Sequence, residues 1–272
     1  MRVRGLFEQR RPFLDLSPYL DLEALGAIHE EVCLGLAQVP IDYTGGSHRS
    51  MGIVPPSRQG ECHVDYGEAI RAMSDAQLET LRGLSDRPDG FDPKRRDEIG
   101  EEREQPLSRR QMLWLKYRFG VYFPWKVYVE LIPNRFWGEK SRASGKTFTR
   151  QSRAFFPRTV AFIEQLPFVE TGRATIMGLE ANDHGTVHHD GDPADERPPD
   201  HFIAFCPAGN KRLFLWDEEE GRKVRVTARA YWFNDQDDHG VDADPFFRYS
   251  IRVDGIFLDD FLERLREAAR SA

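Results

Sequence analysis

Apolar residues recur at helical spacing over residues 21–37, where Leu22, Leu25, Ile28, Val32 and Leu36 share one stripe. The same spacing returns over residues 66–84, through Ile70, Met73, Leu78 and Leu81. A short amphipathic stretch fills residues 156–167 and stops at Pro167, and residues 258–270 read as a final helix. Between these two the pattern changes. Residues 173–180, 201–206, 212–216, 223–234 and 247–257 read as strands. Asp183-His184-Gly185, Pro207-Ala208-Gly209-Asn210 and Glu220-Gly221 supply turn signals between them. Short strands at this spacing, without long helices between them, predict an antiparallel barrel or sandwich.

The texture divides the chain near residue 150. Residues 151–272 are expected to form a mainly β core with a C-terminal helix. Residues 1–150 are expected to be an α-rich, partly irregular region that packs on the core and shapes the substrate site. Within it, residues 85–110 are the most polar run and read as a solvated loop. Together with Gly45-Gly46, that run is a candidate lid. The aromatic block over residues 114–137 reads as core, part of which is a candidate pocket lining.

Composition narrows the partners. The 272 residues carry a formal net charge of −7, which gives no basic footprint for nucleic acid. No run approaches the length of an apolar membrane span. The first residues are charged and lack the apolar stretch of a secretory signal. Three widely spaced cysteines, Cys33, Cys62 and Cys206, form no disulfide framework. A reducing cytoplasm is the expected location. Nothing in the chain assigns an oligomeric state.

The chemistry concentrates where the histidines do. His184, His188, His189, His201 and His239 fall within one region rich in aspartate. On a strand, residues i and i+2 share a face. His188 and Asp190 therefore project together, with His189 turned away. His239 follows the apolar run Ala230-Tyr231-Trp232-Phe233 and lies 49 residues after Asp190. Two imidazoles and one carboxylate leave the far side of a metal open, which is the facial triad of non-haem iron(II) oxygenases. The same donor types can hold zinc with a water. His63-Val64-Asp65 is a second His-x-Asp, read as incidental because it lies between loop and helix signals. Nine residues after His239 comes Arg248, and alternation puts Arg248, Ser250 and Arg252 on one face. A guanidinium there suits a carboxylate, from a ligand or from a structural ion pair.

These residues resemble the iron(II)/2-oxoglutarate-dependent oxygenases. His188-x-Asp190, His239 and Arg248-x-Ser250 look like that family's ligand set followed by its Arg-x-Ser motif. Residues 230–235 before His239, with Phe247-Arg248 and Val253-Asp254 after it, look closest to the branch of aspartyl/asparaginyl β-hydroxylases and free-proline hydroxylases. The likeness covers residues 155–257. Two departures stand out. The β-hydroxylases proper lack the carboxylate that Asp190 supplies. Their second carboxylate-binding arginine falls on Pro199 if His201 matches their strand histidine. A register through His189 and Gly191 would instead resemble halogenases.

The resemblance implies a double-stranded β-helix, a cupin-like jelly roll. It implies iron(II) on His188, Asp190 and His239, and 2-oxoglutarate with its far carboxylate on Arg248 and Ser250. Dioxygen is the second co-substrate, and succinate and carbon dioxide are released. The implied reaction is hydroxylation of an unactivated C–H bond in an amino acid or amino-acid-derived small molecule. Arg135, Arg173, Lys211 and Arg212 are candidates for a substrate carboxylate. Asp183, Asp235 and Asp238 are candidates for orienting the imidazoles. Ile176, Phe205, Phe214 and Trp232 are expected to form an apolar floor. The readings from other classes are a hydroxylase of peptide or protein side chains, a zinc hydrolase, and a barrel that binds a ligand without redox chemistry.

Overall fold

Two strands set the frame: β3 (Phe168–Leu179) and β10 (Arg248–Phe257) pair antiparallel along most of their length. The other strands are β1 (Phe13–Asp15), β2 (Lys126–Ile132), β4 (Gly185–His188), β5 (Phe202–Phe205), β6 (Leu213–Asp217), β7 (Arg222–Arg225), β8 (Ala230–Phe233) and β9 (His239–Val241). They build a six-stranded sheet of order β1-β8-β5-β10-β3-β2 and a four-stranded sheet of order β4-β9-β6-β7. From β3 onward the chain changes sheet at every step except the β6–β7 hairpin, the winding of a jelly roll. The computed structural model describes residues 3–39, 66–101, 104–123, 126–134, 139–190, 197–209 and 211–271. The 223–234 strand of the sequence reading is two strands, β7 and β8, with Val226-Thr227-Ala228-Arg229 turning between the sheets.

The larger sheet is buried on both faces. Its outer face carries Ile176, Phe205, Trp232 and Ile251, and α6 (Pro157–Ile163) lies against it, with Phe162 and Phe205 centroids 4.9 Å apart. Helix α1 (Leu25–Leu36) packs on α6. The C-terminal α7 (Asp259–Ser271) buries Phe261, Leu265 and Ala269.

A second apolar cluster lies among α2 (Tyr66–Arg71), α3 (Asp75–Gly83) and α4 (Arg109–Phe119). The expected single helix over 66–84 breaks before Ser74. That residue forms a capping box with Gln77, and Ser108 does the same with Gln111 at the start of α4. The 85–110 run is exposed or half-buried at most of its described residues, as a solvated loop would be, but it is anchored. Its Phe91, Ile99 and Leu107 are buried in this cluster beside the three helices. The Gly45-Gly46 part of the lid expectation lies outside the described residues, as do Arg135, Trp125, Phe136 and Trp137. Among the described residues no helix is long and apolar enough to cross a membrane.

Candidate metal centre

β4 ends at His188 and β9 begins at His239, and the two are paired in register. Their rings lie 4.4 Å apart between centroids. Asp190 follows directly, held by its backbone N–H donating 2.8 Å to the Asp235 carbonyl. His188, Asp190 and His239 each offer one ligand atom, and these atoms all lie within 4.8 Å of one another. The three expected ligands therefore converge at one end of the barrel, all buried.

The imidazoles are oriented by the backbone. His188 Nδ1 donates 2.7 Å to the Thr186 carbonyl, and His239 Nδ1 donates 2.8 Å to the Asp237 carbonyl. A carbonyl oxygen can only accept, so each Nδ1 carries the proton and each Nε2 keeps its lone pair for a metal. Burial holds both imidazoles down to about 4, His188 with help from the neighbouring His239. Both are neutral ligands at neutral pH. Asp183 and Asp238 do not orient them. Asp183 lies at the other end of the barrel, where its carbonyl accepts from Arg248, and Asp238 accepts 2.8 Å from His189 Nδ1. His189 is turned away from the ligand pair, as alternation requires.

The carboxylate ligand belongs to a buried ion network. Burial pushes Asp190 up, and the charge of Asp235 adds to this. Arg252 opposes both, with Nη1 3.7 Å from Asp190 Oδ2, Nη2 donating 2.7 Å to Asp235 and Nε donating 2.8 Å to Asp254. Lys140 donates 2.8 Å to Asp235 and pairs with Asp200 at 2.8 Å. Arg173 donates to Asp254 at 2.8 and 3.0 Å, so it serves the network and not a substrate. Burial alone would raise Asp235 and Asp254. Lys140 and Arg252 outweigh it at the first, and Arg173 and Arg252 at the second, so both stay well below the usual carboxylate range.

The expected apolar floor is misplaced by one residue. Paired residues share a face, and Arg252 pairs with Ala204, which pairs with Tyr231. The inside of the barrel therefore carries Phe202, Ala204, Tyr231 and Phe233, with the Phe233 ring 5.1 Å from His239. Ile176, Phe205 and Trp232 face the helices, and Phe214 packs with Val187 and Trp216 outside the smaller sheet. Gly240 explains the close fit there. A Cβ on it would meet Phe214 Cζ at 2.8 Å and the Gly185 carbonyl at 2.9 Å.

Arg248 lies at the opposite end of the barrel from the ligands, on the same strand face as Ser250. Its guanidinium donates to the carbonyls of Glu180, Phe246 and Asp242 at 3.2, 3.2 and 2.8 Å, and to that of Asp183. Its Nε–H is buried and unpaired. Ser250 Oγ accepts 2.7 Å from Lys211 Nζ. Arg212 pairs with Asp244. His201 stacks on Phe257 at 4.6 Å and accepts from its backbone N–H, away from the ligands. The sequence reading missed Lys140 and Asp237; it named Asp254 only as part of the resemblance, and Lys211 as a candidate for a substrate carboxylate, where the structure has it buried and donating to Ser250.

No protein-family model matches this chain, and no curated protein does. Among solved structures, a prolyl-4-hydroxylase from Pseudomonas putida is 12% identical over 37% of this chain and 60% of its own, with a TM-score of 0.23. A viral collagen prolyl hydroxylase from Paramecium Bursaria Chlorella virus-1, in complex with 2OG, is 9% identical over 39% and 73%, with a TM-score of 0.24. An RmlC-like cupin from Shewanella frigidimarina is 16% identical over 34% and 78%, with a TM-score of 0.21.

Proposed function

We propose that this chain is an iron(II)- and 2-oxoglutarate-dependent oxygenase that hydroxylates an amino acid or amino-acid-derived small molecule. The observation that carries the reading is the convergence of His188, Asp190 and His239, with both Nε2 lone pairs turned to one point. The donor set fits iron(II): two neutral imidazoles and one carboxylate, whose burial is opposed by Lys140 and Arg252, leave positions for other ligands. Bound there, the iron and its co-substrates would supply the oxidation of the C–H bond, with release of succinate and carbon dioxide.

The protein's own residues do the rest. Thr186 and Asp237 aim the imidazoles through their carbonyls. Phe202 and Phe233 exclude water beside the ligands. The co-substrate's far carboxylate is directed inward along β10, toward Ser250 and the field of Arg248. Asp200 and Arg197, an ion pair at 3.2 Å near the metal end, offer charges of both signs to a zwitterionic substrate. Anaerobic absorption tests the reading. Iron(II) followed by 2-oxoglutarate is expected to give a weak visible charge-transfer band that needs both. Metal binding without that band would reject the oxygenase reading in favour of a hydrolase or a binding barrel.

A further inference from the structure

The aromatic block that begins at Trp114 is only partly core. On α4 the side chains of Gln111, Met112 and Leu115 are buried, the last two in the second apolar cluster. The opposite side of the helix faces water. Its centre is Tyr117, which is 76% exposed. Arg110, Leu113 and Trp114 lie within about 60° of that centre around the helix axis, and Lys116 and Arg118 flank it at about 100° on either side. Leu113 and Trp114 are half-buried, and the three cations are exposed.

The charges of this helix run against those of the chain. α4 carries Arg109, Arg110, Lys116 and Arg118 and no acidic residue, in a protein of net charge −7. Lys116 and Arg118 suit the C-terminal turn, where cations complement the helix macrodipole. Arg109 and Arg110 stand on the first turn, where cations oppose it, so helix stability does not account for the pattern. Arg110 donates 3.2 Å to the Ser85 carbonyl and lies 3.6 Å from Asp86, an exposed pair that water screens. Arg118 lies over the Phe119 ring at 5.4 Å, a contact that leaves its charge uncancelled. A row of water-facing apolar and aromatic side chains with cations along both flanks has the layout of a helix-pairing seam.

We propose that this face of α4 docks an acidic amphipathic helix of a partner protein. The partner's apolar seam covers Leu113, Trp114 and Tyr117, and its flanking Asp and Glu side chains meet Arg110, Lys116 and Arg118. Charge complementarity selects this occupant. A nucleic acid fits worse, because the rest of the chain is acidic and repels a polyphosphate. Two helical turns bury less than the about 1,200–2,000 Å² of a stable complex, so the contact is weak and transient. The face is joined to the barrel. α4 ends at Gly120 in the left-handed conformation, and Tyr122 just beyond it donates 2.9 Å to the His184 carbonyl and accepts 3.0 Å from the His184 N–H. The docking face is thereby tied through Tyr122 to the turn that opens β4, the strand that ends in His188.

The proposal does not rest on the oxygenase reading. The test titrates the full chain, by fluorescence anisotropy, against a labelled synthetic helix with a leucine seam flanked by glutamates. Its counterpart flanked by lysines is the control. Wild type is expected to bind the acidic helix with a Kd of about 10–100 μM, as suits a small interface. Most of that affinity should be lost in about 0.5 M salt, where the flanking charges are screened. The double variant Lys116→Glu, Arg118→Glu should weaken acidic-helix binding at least about tenfold and prefer the lysine version. Tyr117→Ser should cost about tenfold, the loss of a central aromatic anchor. These three side chains are exposed, so the variants are expected to melt as wild type does. Equal binding of the two helices by wild type, or unchanged affinity in both variants, would overturn the proposal. Tighter binding of a short DNA duplex through the same residues would overturn the class of partner.

Discussion

Arg252 stands 3.7 Å from Asp190 and donates 2.7 Å to Asp235, so one guanidinium spans a metal ligand and the carboxylate that would otherwise repel it. It also lies over the Phe202 ring at 3.9 Å, which fixes its plane. Removing this charge leaves Asp190, Asp235 and Asp254 buried together. Arg252→Met is expected to lose about 3–5 kcal/mol of stability, the usual consequence of stranding buried partners. Metal affinity should fall about 10- to 100-fold, the range for residues that support a ligand. Denaturant unfolding and metal titration read the two effects. Unchanged metal affinity would mean that Lys140 alone keeps Asp190 ionised.

The ligand assignment has a direct internal control. His188→Ala or His239→Ala should lose stoichiometric iron(II), while His189→Ala should keep it, because His189 is paired with Asp238 and turned away. Metal content by mass spectrometry decides. Full occupancy in His239→Ala, or loss confined to His189→Ala, would shift the register of the site.

Lys211 sets a pH window. Its folded value of about 8 lies below the usual lysine value of 10.5, so the fold favours the neutral amine. The groups beside it do not titrate in that window. Burial pushes Cys206 up to about 11 and Tyr231 well above its ordinary value, and the neighbouring Arg248 and Arg252 stay charged. Between pH 8 and 10.5 the unfolded chain holds the lysine proton that the fold has released, so this residue's contribution to stability rises with pH. Lys211→Met should remove this rise, and wild-type stability without it between about pH 8 and 10 would mean that the fold does not favour the neutral amine.

Asp237 links the start of the chain to the metal ligand. Its carboxylate accepts from the backbone N–H groups of Arg4 and Gly5 at 2.7 and 2.8 Å, while its carbonyl accepts from His239. Asp237→Asn offers one acceptor where two are needed. It should lose about 1–3 kcal/mol, the cost of a buried donor left unpaired. Metal affinity should fall less than for Arg252→Met. A stability loss with no change in metal affinity would confine Asp237 to anchoring residues 4 and 5.

Much of the site was readable because its logic is local. The two-residue period of a strand separates His188 and Asp190 from His189, and puts Arg248, Ser250 and Arg252 on one face. The apolar floor was not readable for the opposite reason. β5 and β8 are buried on both faces, so hydrophobicity does not say which residue of Ala230-Tyr231-Trp232-Phe233 points inward. Register with β10 does. Lys140 sits in a connection without periodicity, and its burial follows from contacts with Asp235 and Asp200, residues far along the chain. The break before α3 was legible in principle, since Ser74 and Gln77 have the spacing of a capping box.

The larger sheet draws its outermost strands from the first half of the chain: β1 covers β8, and β2 covers β3. A fragment starting near residue 150 would keep every metal ligand. It would nevertheless expose two rows of unpaired backbone N–H and C=O groups, one of them beside Tyr231, Trp232 and Phe233. Bare strand edges of that kind template pairing with other chains. Such a fragment should collect as aggregates, and the site would be lost to solubility before it was lost to chemistry.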